Sequence, residues 1–197
     1  YDRGVWRDTS LNVDYEHKAY TNMENISSVI ESKKYRTTTN EKNLLNYSVD
    51  EIDIKETEEV VENEETKTVV NNTANEVIIP YSYYMKVKYE YDVNTKTYKR
   101  YANDVAHTDS VTKEQYHFKN IIITNIENYT TSEGGGRQAL KNIGSGTGYY
   151  ITNGHIKKIT WEKSARDSKT TYKYLSGEEI KVNDGNIEEA LRRSLSW

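Results

Sequence analysis

There is no cysteine among the 197 residues. That excludes disulfides, a thiolate nucleophile and cysteine-based zinc or iron–sulfur centres, and leaves the redox compartment open. Proline occurs once, at Pro80. Its missing N–H predicts a break, bulge or sheet edge there. Phenylalanine also occurs once, against 18 tyrosines. Tyrosine suits strands with two unlike faces, because its ring can be buried while its hydroxyl reaches solvent. No apolar run approaches the roughly 20 residues of a membrane helix. There is no initiator Met and no signal peptide, so the chain reads as a fragment or mature domain, and the missing leader carries no information about location.

With 35% hydrophobic and 29% charged residues, the core must be economical and some segments are expected to lie outside it. The net charge is −4, unevenly spread. Residues 50–66, "DEIDIKETEEVVENEET", hold nine acids and one Lys, a net −8, so the remainder carries +4. The run lacks the alternating Asp ligands and turn glycine of a calcium loop and reads as a solvated insertion. An acidic total without a dense Lys/Arg stripe argues against nucleic acid as a partner.

Thr21-x-x-Glu24 has the spacing of a capping box. Met23, Ile26, Val29 and Ile30 follow at helical spacing, predicting a helix over about 22–33 with cations at its end. Leu44, Leu45 and Tyr47 suggest a short strand. Beyond it an acidic, Asn/Thr-rich connection is expected to be poorly ordered. From Glu76 the period is two, with Val77, Ile79, Tyr81, Tyr83, Met85, Val87, Tyr89 and Tyr91 on one face. A turn at 92–95 returns as "KTYKRYA", and Ile121, Ile122 and Ile123 together fit a strand buried on both faces. Short strands follow the Gly134-Gly135-Gly136 loop, with Asn153-Gly154 marking a type I′ hairpin. The tail "NIEEALRRSLSW" has helical propensity. The expected fold class is α+β, a mostly antiparallel β meander with one N-terminal helix. The expected divisions are an N-terminal segment 1–48, an acidic mobile insertion 49–75 and an antiparallel β domain 76–197.

Gly144-x-Gly146-x-Gly148 invites a phosphate-loop reading. Such a loop works by leading into a helix N-terminus whose free N–H groups face the anion. Here Tyr-Tyr-Ile-Thr and then Asn-Gly follow, and the Lys-Ser/Thr ending is absent. The glycines are therefore expected to serve a strand junction, through positive φ or close backbone approach, and no nucleotide cofactor is expected.

The stretch "IGSGTGYYITNGHIKKITWEKSARDS" followed by "TYKYLSGEEIKVNDG" resembles the C-terminal part of the YerB-like bacterial lipoprotein family, domain-of-unknown-function family 3048. "YEYDVNTKTYKRYANDVAHTD", "VWRD" and "HKAYT" resemble further family elements in the same order, so the resemblance spans most of the chain apart from about 46–75. The chain departs from the family pattern at Tyr15 and Glu16, where Ala-Pro is usual, and at its tail, where the family ends in a Trp-containing strand. The resemblance implies an N-terminal half with a lipidated cysteine outside this chain and a location outside the cytoplasmic membrane. It implies no reaction.

The four histidines, His17, His107, His117 and His155, form no metal-type pair, and no metal is expected. His107-x-Asp109 offers a carboxylate-oriented imidazole or, more simply, a loop cap. Arg7-Asp8 beside Trp6, and Arg166-Asp167 after Trp161, could each hold a ligand by stacking and bidentate bonding, or pin a loop. Arg137, beside the triple glycine, is a further candidate for a carboxylate or phosphate. The candidate ligand-binding set is therefore Arg7, Asp8, His107, Asp109, Arg137, Trp161, Arg166 and Asp167. The function expected is binding or scaffolding in the cell envelope. The partner is an unidentified envelope protein or polymer, and the membrane is met only through the lipid anchor. The alternative is an envelope hydrolase or transferase with an Arg/His/Asp cleft.

Overall fold

The computed structural model describes residues 4–38, 44–62 and 64–193. The chain forms two compact units, Tyr1–Asn43 and Leu44–Trp197, whereas the sequence had suggested divisions after residues 48 and 75.

In the first unit β1 (Trp6–Arg7) pairs antiparallel with β2 (Ala19–Tyr20), and α1 spans Met23–Lys33. The expected Thr21 capping box is not what starts the helix. The Asn22 side chain accepts from the Asn25 N–H at 2.8 Å, while the Thr21 hydroxyl donates to the Gly4 carbonyl. With Thr21 drawn into that longer-range contact, the neighbouring amide takes the cap. Lys34, in the left-handed region at φ 54°, closes the helix, and Tyr35 N–H donates back to the Ile30 carbonyl at 3.0 Å.

The second unit is built from strands. In chain order they are β3 (Asn46–Ser48), β4 (Thr57–Glu62), β5 (Glu65–Val70), β6 (Asn72–Thr73), β7 (Glu76–Pro80), β8 (Lys86–Asp92), β9 (Thr97–Ala102), β10 (Val105–Ala106), β11 (His117–Phe118), β12 (Asn120–Ile126), β13 (Asn128–Thr130), β14 (Gln138–Leu140), β15 (Gly144–Thr152), β16 (His155–Lys163), β17 (Thr171–Tyr174), β18 (Lys181–Asn183) and β19 (Ile187–Arg193). The central sheet runs β17-β16-β15-β12-β19, with β6 added beside β16. A second sheet runs β10-β9-β8-β7, with β11 on β9. Pro80 ends β7, the edge strand of that sheet, where a lost donor costs least.

Strand β12 is covered on both faces, as its isoleucine run predicts. On one face Ile122 and Ile126 join Tyr150, Ile159, Trp161 and Tyr172, capped by Leu45, Ile54, Ile180 and Val182. On the other, Ile121 and Ile123 join Ile151 and Ala190 and meet Ile79, Val87, Tyr89 and Tyr98 of the second sheet. Tyrosines thus fill core positions, and their hydroxyls find partners at the layer edges: Tyr98 Oη accepts from the Gly154 N–H at 3.0 Å.

The sheets are not wholly a meander, and the tail is not a helix. β19 pairs in parallel with β12 from Asn120↔Ile187 to Ile126↔Arg193, and β18 pairs in parallel with β3. The open edge of β12 outweighs the tail's local helical preference, because Ile187 and Ala190 alternate onto the two core faces. The last four residues of the tail lie outside the described residues.

The acidic segment also differs from a loose excursion. Ile54 and Ala74 are buried at its two ends. Asn71 closes it by donating Nδ2–H to the Lys55 carbonyl at 2.8 Å, and Asn71 N–H reaches the Glu56 carbonyl. Between these anchors β4 and β5 form their own antiparallel hairpin, of which residue 63 lies outside the described residues. Ile52 and Ile54 alternate with the acids, so one side of the run is apolar even though its composition is acidic.

The Asn153-Gly154 turn is as expected, with φ 48° and 78°. Around it lies a buried polar network. Asn183 Oδ1 accepts from Ile52 N–H at 2.7 Å, and its Nδ2 donates to Thr152 Oγ1 at 2.9 Å and to the Ile52 carbonyl at 3.1 Å. Tyr150 Oη donates to Asn120 Oδ1 at 2.8 Å, and Asn120 Nδ2 donates to the Asn183 carbonyl at 2.8 Å. At its solvent end Glu51 takes Lys96 at 2.7 Å, Lys119 at 3.3 Å and Asn153 Nδ2 at 3.0 Å.

Two outcomes follow. Asn183→Ala strands the Ile52 N–H and is expected to cost about 1–3 kcal/mol, read as a lower urea midpoint with an unchanged slope; wild-type stability would show that the tether carries nothing. The Lys96 and Lys119 ammonium groups hold the Glu51 carboxyl at about 2, below its ordinary 4.5. A lowered folded-state pKa stabilises above the unfolded value and fades as pH falls through the folded one. The melting-temperature gap between wild type and Glu51→Gln should therefore be constant above about pH 5 and close between about pH 4.5 and 2.

Candidate functional site

Within the second unit the candidate residues His107, Asp109, Arg137, Trp161, Arg166 and Asp167 are engaged in separate local contacts. In the first unit Arg7 lies over the Tyr15 ring at 3.8 Å and donates to the Tyr15 carbonyl. Asp8 accepts from Ser10 N–H at 2.9 Å and from its hydroxyl, and these bonds lower its pKa. Arg137 pairs with Glu133 at 3.0 Å, both well exposed. Arg166 and Asp167 sit on an exposed turn that Ser168 closes by bonding Ala165.

Trp161 is buried at 4% exposure, so its face is not offered to a ligand. Its Nε1–H donates to the Asn125 carbonyl at 3.2 Å, and its ring lies on Gly146, where a Cβ would come within 2.6 Å of Nε1. At Gly148 a Cβ would come within 2.4 Å of the Ile123 carbonyl oxygen. The glycines of β15 therefore make room for an indole and for the next strand. β15 runs unbroken from Gly144 to Thr152, paired throughout with β16. No helix N-terminus follows them.

His107 and Asp109 do not form a pair. Asp109 Oδ1 accepts from the N–H groups of Val111 and Thr112, both at 2.8 Å, and its Oδ2 accepts from Tyr116 Oη at 3.2 Å. The Thr112 and Val111 N–H bonds lower its pKa. The carboxylate caps its own loop. The partner of His107 Nδ1 is instead the Arg100 guanidinium.

That contact leads to a cleft the sequence reading missed. Tyr98 and Arg100 share one face of β9. Tyr98 enters the core, and Arg100, half-buried, reaches the rim between the sheets. Loop 107–116 folds back along β9, with His107 N–H donating to the Arg100 carbonyl at 3.0 Å and Arg100 N–H to the Tyr116 carbonyl at 2.9 Å. From β19, Glu188 shares a face with Ala190 and points to the second sheet. Its Oε1 lies 3.6 Å from Arg100 Nε and accepts from Tyr89 Oη at 3.2 Å. Burial and then the Glu188 carboxylate raise the Tyr89 phenol, keeping it a donor. Arg100, His107, Tyr116, Phe118 and Glu188 line a cleft of about 290 Å³, near the lower end of small-ligand sites, roughly 300–1,000 Å³. His107 and Tyr116 rings meet edge to face at 4.8 Å.

The model of the protein of unknown function (DUF3048) C-terminal domain matches residues 77–187, more than half of the chain. The chain belongs to this family. Four of the five cleft residues fall inside the match, and Glu188 lies just beyond it. The crystal structure of the YerB protein from Bacillus subtilis is similar over 98% of this chain, with a TM-score of 0.70 and 19% identity, a likeness of fold. The chain spans 57% of the length of that structure. No curated protein sequence matches it.

Removing the buried indole tests the packing assigned to the glycine strand of this DUF3048 domain. Trp161→Ala is expected to cost about 3–5 kcal/mol, measured by thermal or urea unfolding. A change of a few tenths would mean that the ring does not fill the core.

Proposed function

We propose that the chain is the C-terminal binding or scaffolding module of a bacterial envelope lipoprotein, held outside the cytoplasmic membrane by a lipid anchor on a part of the protein beyond this chain. Its partner is an envelope protein or polymer. The observation that carries the binding role is the hydrogen bond at His107. A guanidinium can only donate, so in this contact Nδ1 is the acceptor, which leaves the ring N–H at Nε2. A general base needs a free lone pair facing the proton it removes. His107 instead presents an N–H, which suits holding a ligand. The hydrolase or transferase alternative also needs its arginines and aspartates together, and among the described residues Asp109, Arg166 and Asp167 are used in, or sit on, separate loops. The family resemblance supports the envelope location.

Washed envelope polymer incubated with the purified chain should carry it into the pellet without releasing soluble fragments. If the chain stays in the supernatant, the polymer-binding role fails. Release of fragments that stops with His107→Ala would restore the hydrolase. For location, protease added to intact protoplasts should digest the full-length protein; protection would contradict the extracytoplasmic reading.

A further inference from the structure

We infer that the cleft between Arg100 and Glu188 binds one ring of a neutral oligosaccharide, with the sugar stacked on Tyr116 and its hydroxyls bridging the two charged side chains. This rests on the binding-module reading and names the ligand class of its site.

The charges exclude the simpler ligands. An anion drawn to Arg100 would meet the Glu188 carboxylate, and a cation drawn to the aromatic rings and Glu188 would meet the guanidinium, which lies 3.6 Å from that carboxylate. A neutral group that both donates and accepts satisfies the pair, and a hydroxyl does both. Adjacent hydroxyls on one ring can give a hydrogen to the carboxylate while taking one from the guanidinium, in charge-assisted bonds.

The free atoms suit this. Glu188 spends Oε1 on Arg100 and on the fully buried Tyr89 hydroxyl, and Oε2 has no partner among the described residues. Arg100 turns Nη1 to His107 and Nε to Glu188 and also bonds the Tyr89 hydroxyl; with five N–H donors, the guanidinium has more than these three contacts use. His107 adds an Nε2–H. Tyr116 is 39% exposed, and its hydroxyl is tied to Asp109, so the ring is held in place as a platform before any ligand arrives. That lowers the ordering cost of stacking. Phe118, edge-on to Tyr89 with centroids 6.4 Å apart, supplies an apolar wall for the C–H face of a sugar.

The test is a ¹H–¹⁵N titration of the whole chain with cellotetraose and with chitotetraose, alongside sodium propionate and tetramethylammonium chloride as an anion and a cation. At millimolar sugar, saturable shifts are expected at the amides of Arg100, His107, Tyr116 and Phe118. Tyr116→Ala should raise Kd about five- to tenfold with an otherwise folded spectrum, and Tyr116→Phe should raise it less, because the ring is retained and only its tether to Asp109 is lost. If propionate or tetramethylammonium moves these amides and neither sugar does, the sugar assignment is overturned and the cleft stands as another kind of site. If no probe moves them, or the sugars move residues elsewhere, the site itself is overturned. The pelleting experiment then decides the binding module independently.

Discussion

The side chain of Asn183 holds this fold in register. It meets both backbone groups of Ile52 and the hydroxyl of Thr152, and its own backbone meets Asn120. Four stretches of chain, separated by as many as 131 residues, are thereby fixed against one another inside the protein. An apolar contact tolerates sliding, whereas a buried amide left without partners pays its full desolvation cost. A slip of β15 or β18 by one residue would strand several such groups at once and turn each core side chain to the wrong face.

The position of this polar network explains two short elements of the sequence. Thr152-Asn153-Gly154 supplies the tight turn and two members of the network, and Asn183-Asp184-Gly185 supplies the hub. Glu51 and Lys96 close the solvent end with exposed charges, and the largely covered Lys119 ammonium is held by Glu51 and Asn153. The glycines of β15 answer a different demand. They let an indole and a neighbouring backbone come closer than any side chain permits, which is why a pattern that looks like an anion loop sits in the middle of a strand.

The proposed ligand site lies at the rim between the second sheet and β19. Along most of the length of the two sheets Tyr89, Tyr98, Ile121 and Ile151 fill the space between them. Past Tyr98 the next inward residue of β9 is Arg100, and the inward residue opposite on β19 is Glu188. An ion pair at a sheet rim keeps polar atoms available where a hydrophobic pair would have closed the gap. The loop that brings His107 and Tyr116 over this rim is pinned by Asp109, the residue that first suggested acid–base chemistry. Its role is to hold the loop, and the imidazole is turned toward a cation.

Much of this was legible from periodicity. The helix, the doubly buried β12, the 8–9 hairpin, the break at Pro80 and the Asn-Gly turn each depend on local alternation or on backbone preferences of one or two residues, and such signals survive in the linear chain. The strand setting of Gly144, Gly146 and Gly148 was legible for the same reason. The strand nature of the tail was not, because Glu188, Glu189 and Arg192 favour a helix until the open edge of β12 offers hydrogen bonds that local propensity cannot anticipate. The anchoring of the acidic segment was hidden by composition, since Ile54, Asn71 and Ala74, which hold it, are few among the acids. The burial of Trp161 turned on which face of β16 met Gly146. The cleft was beyond reach altogether. Arg100 and Glu188 lie 88 positions apart, each reads alone as an ordinary solvated charge, and only the packing of one sheet on the other sets a guanidinium beside a carboxylate under an aromatic ring.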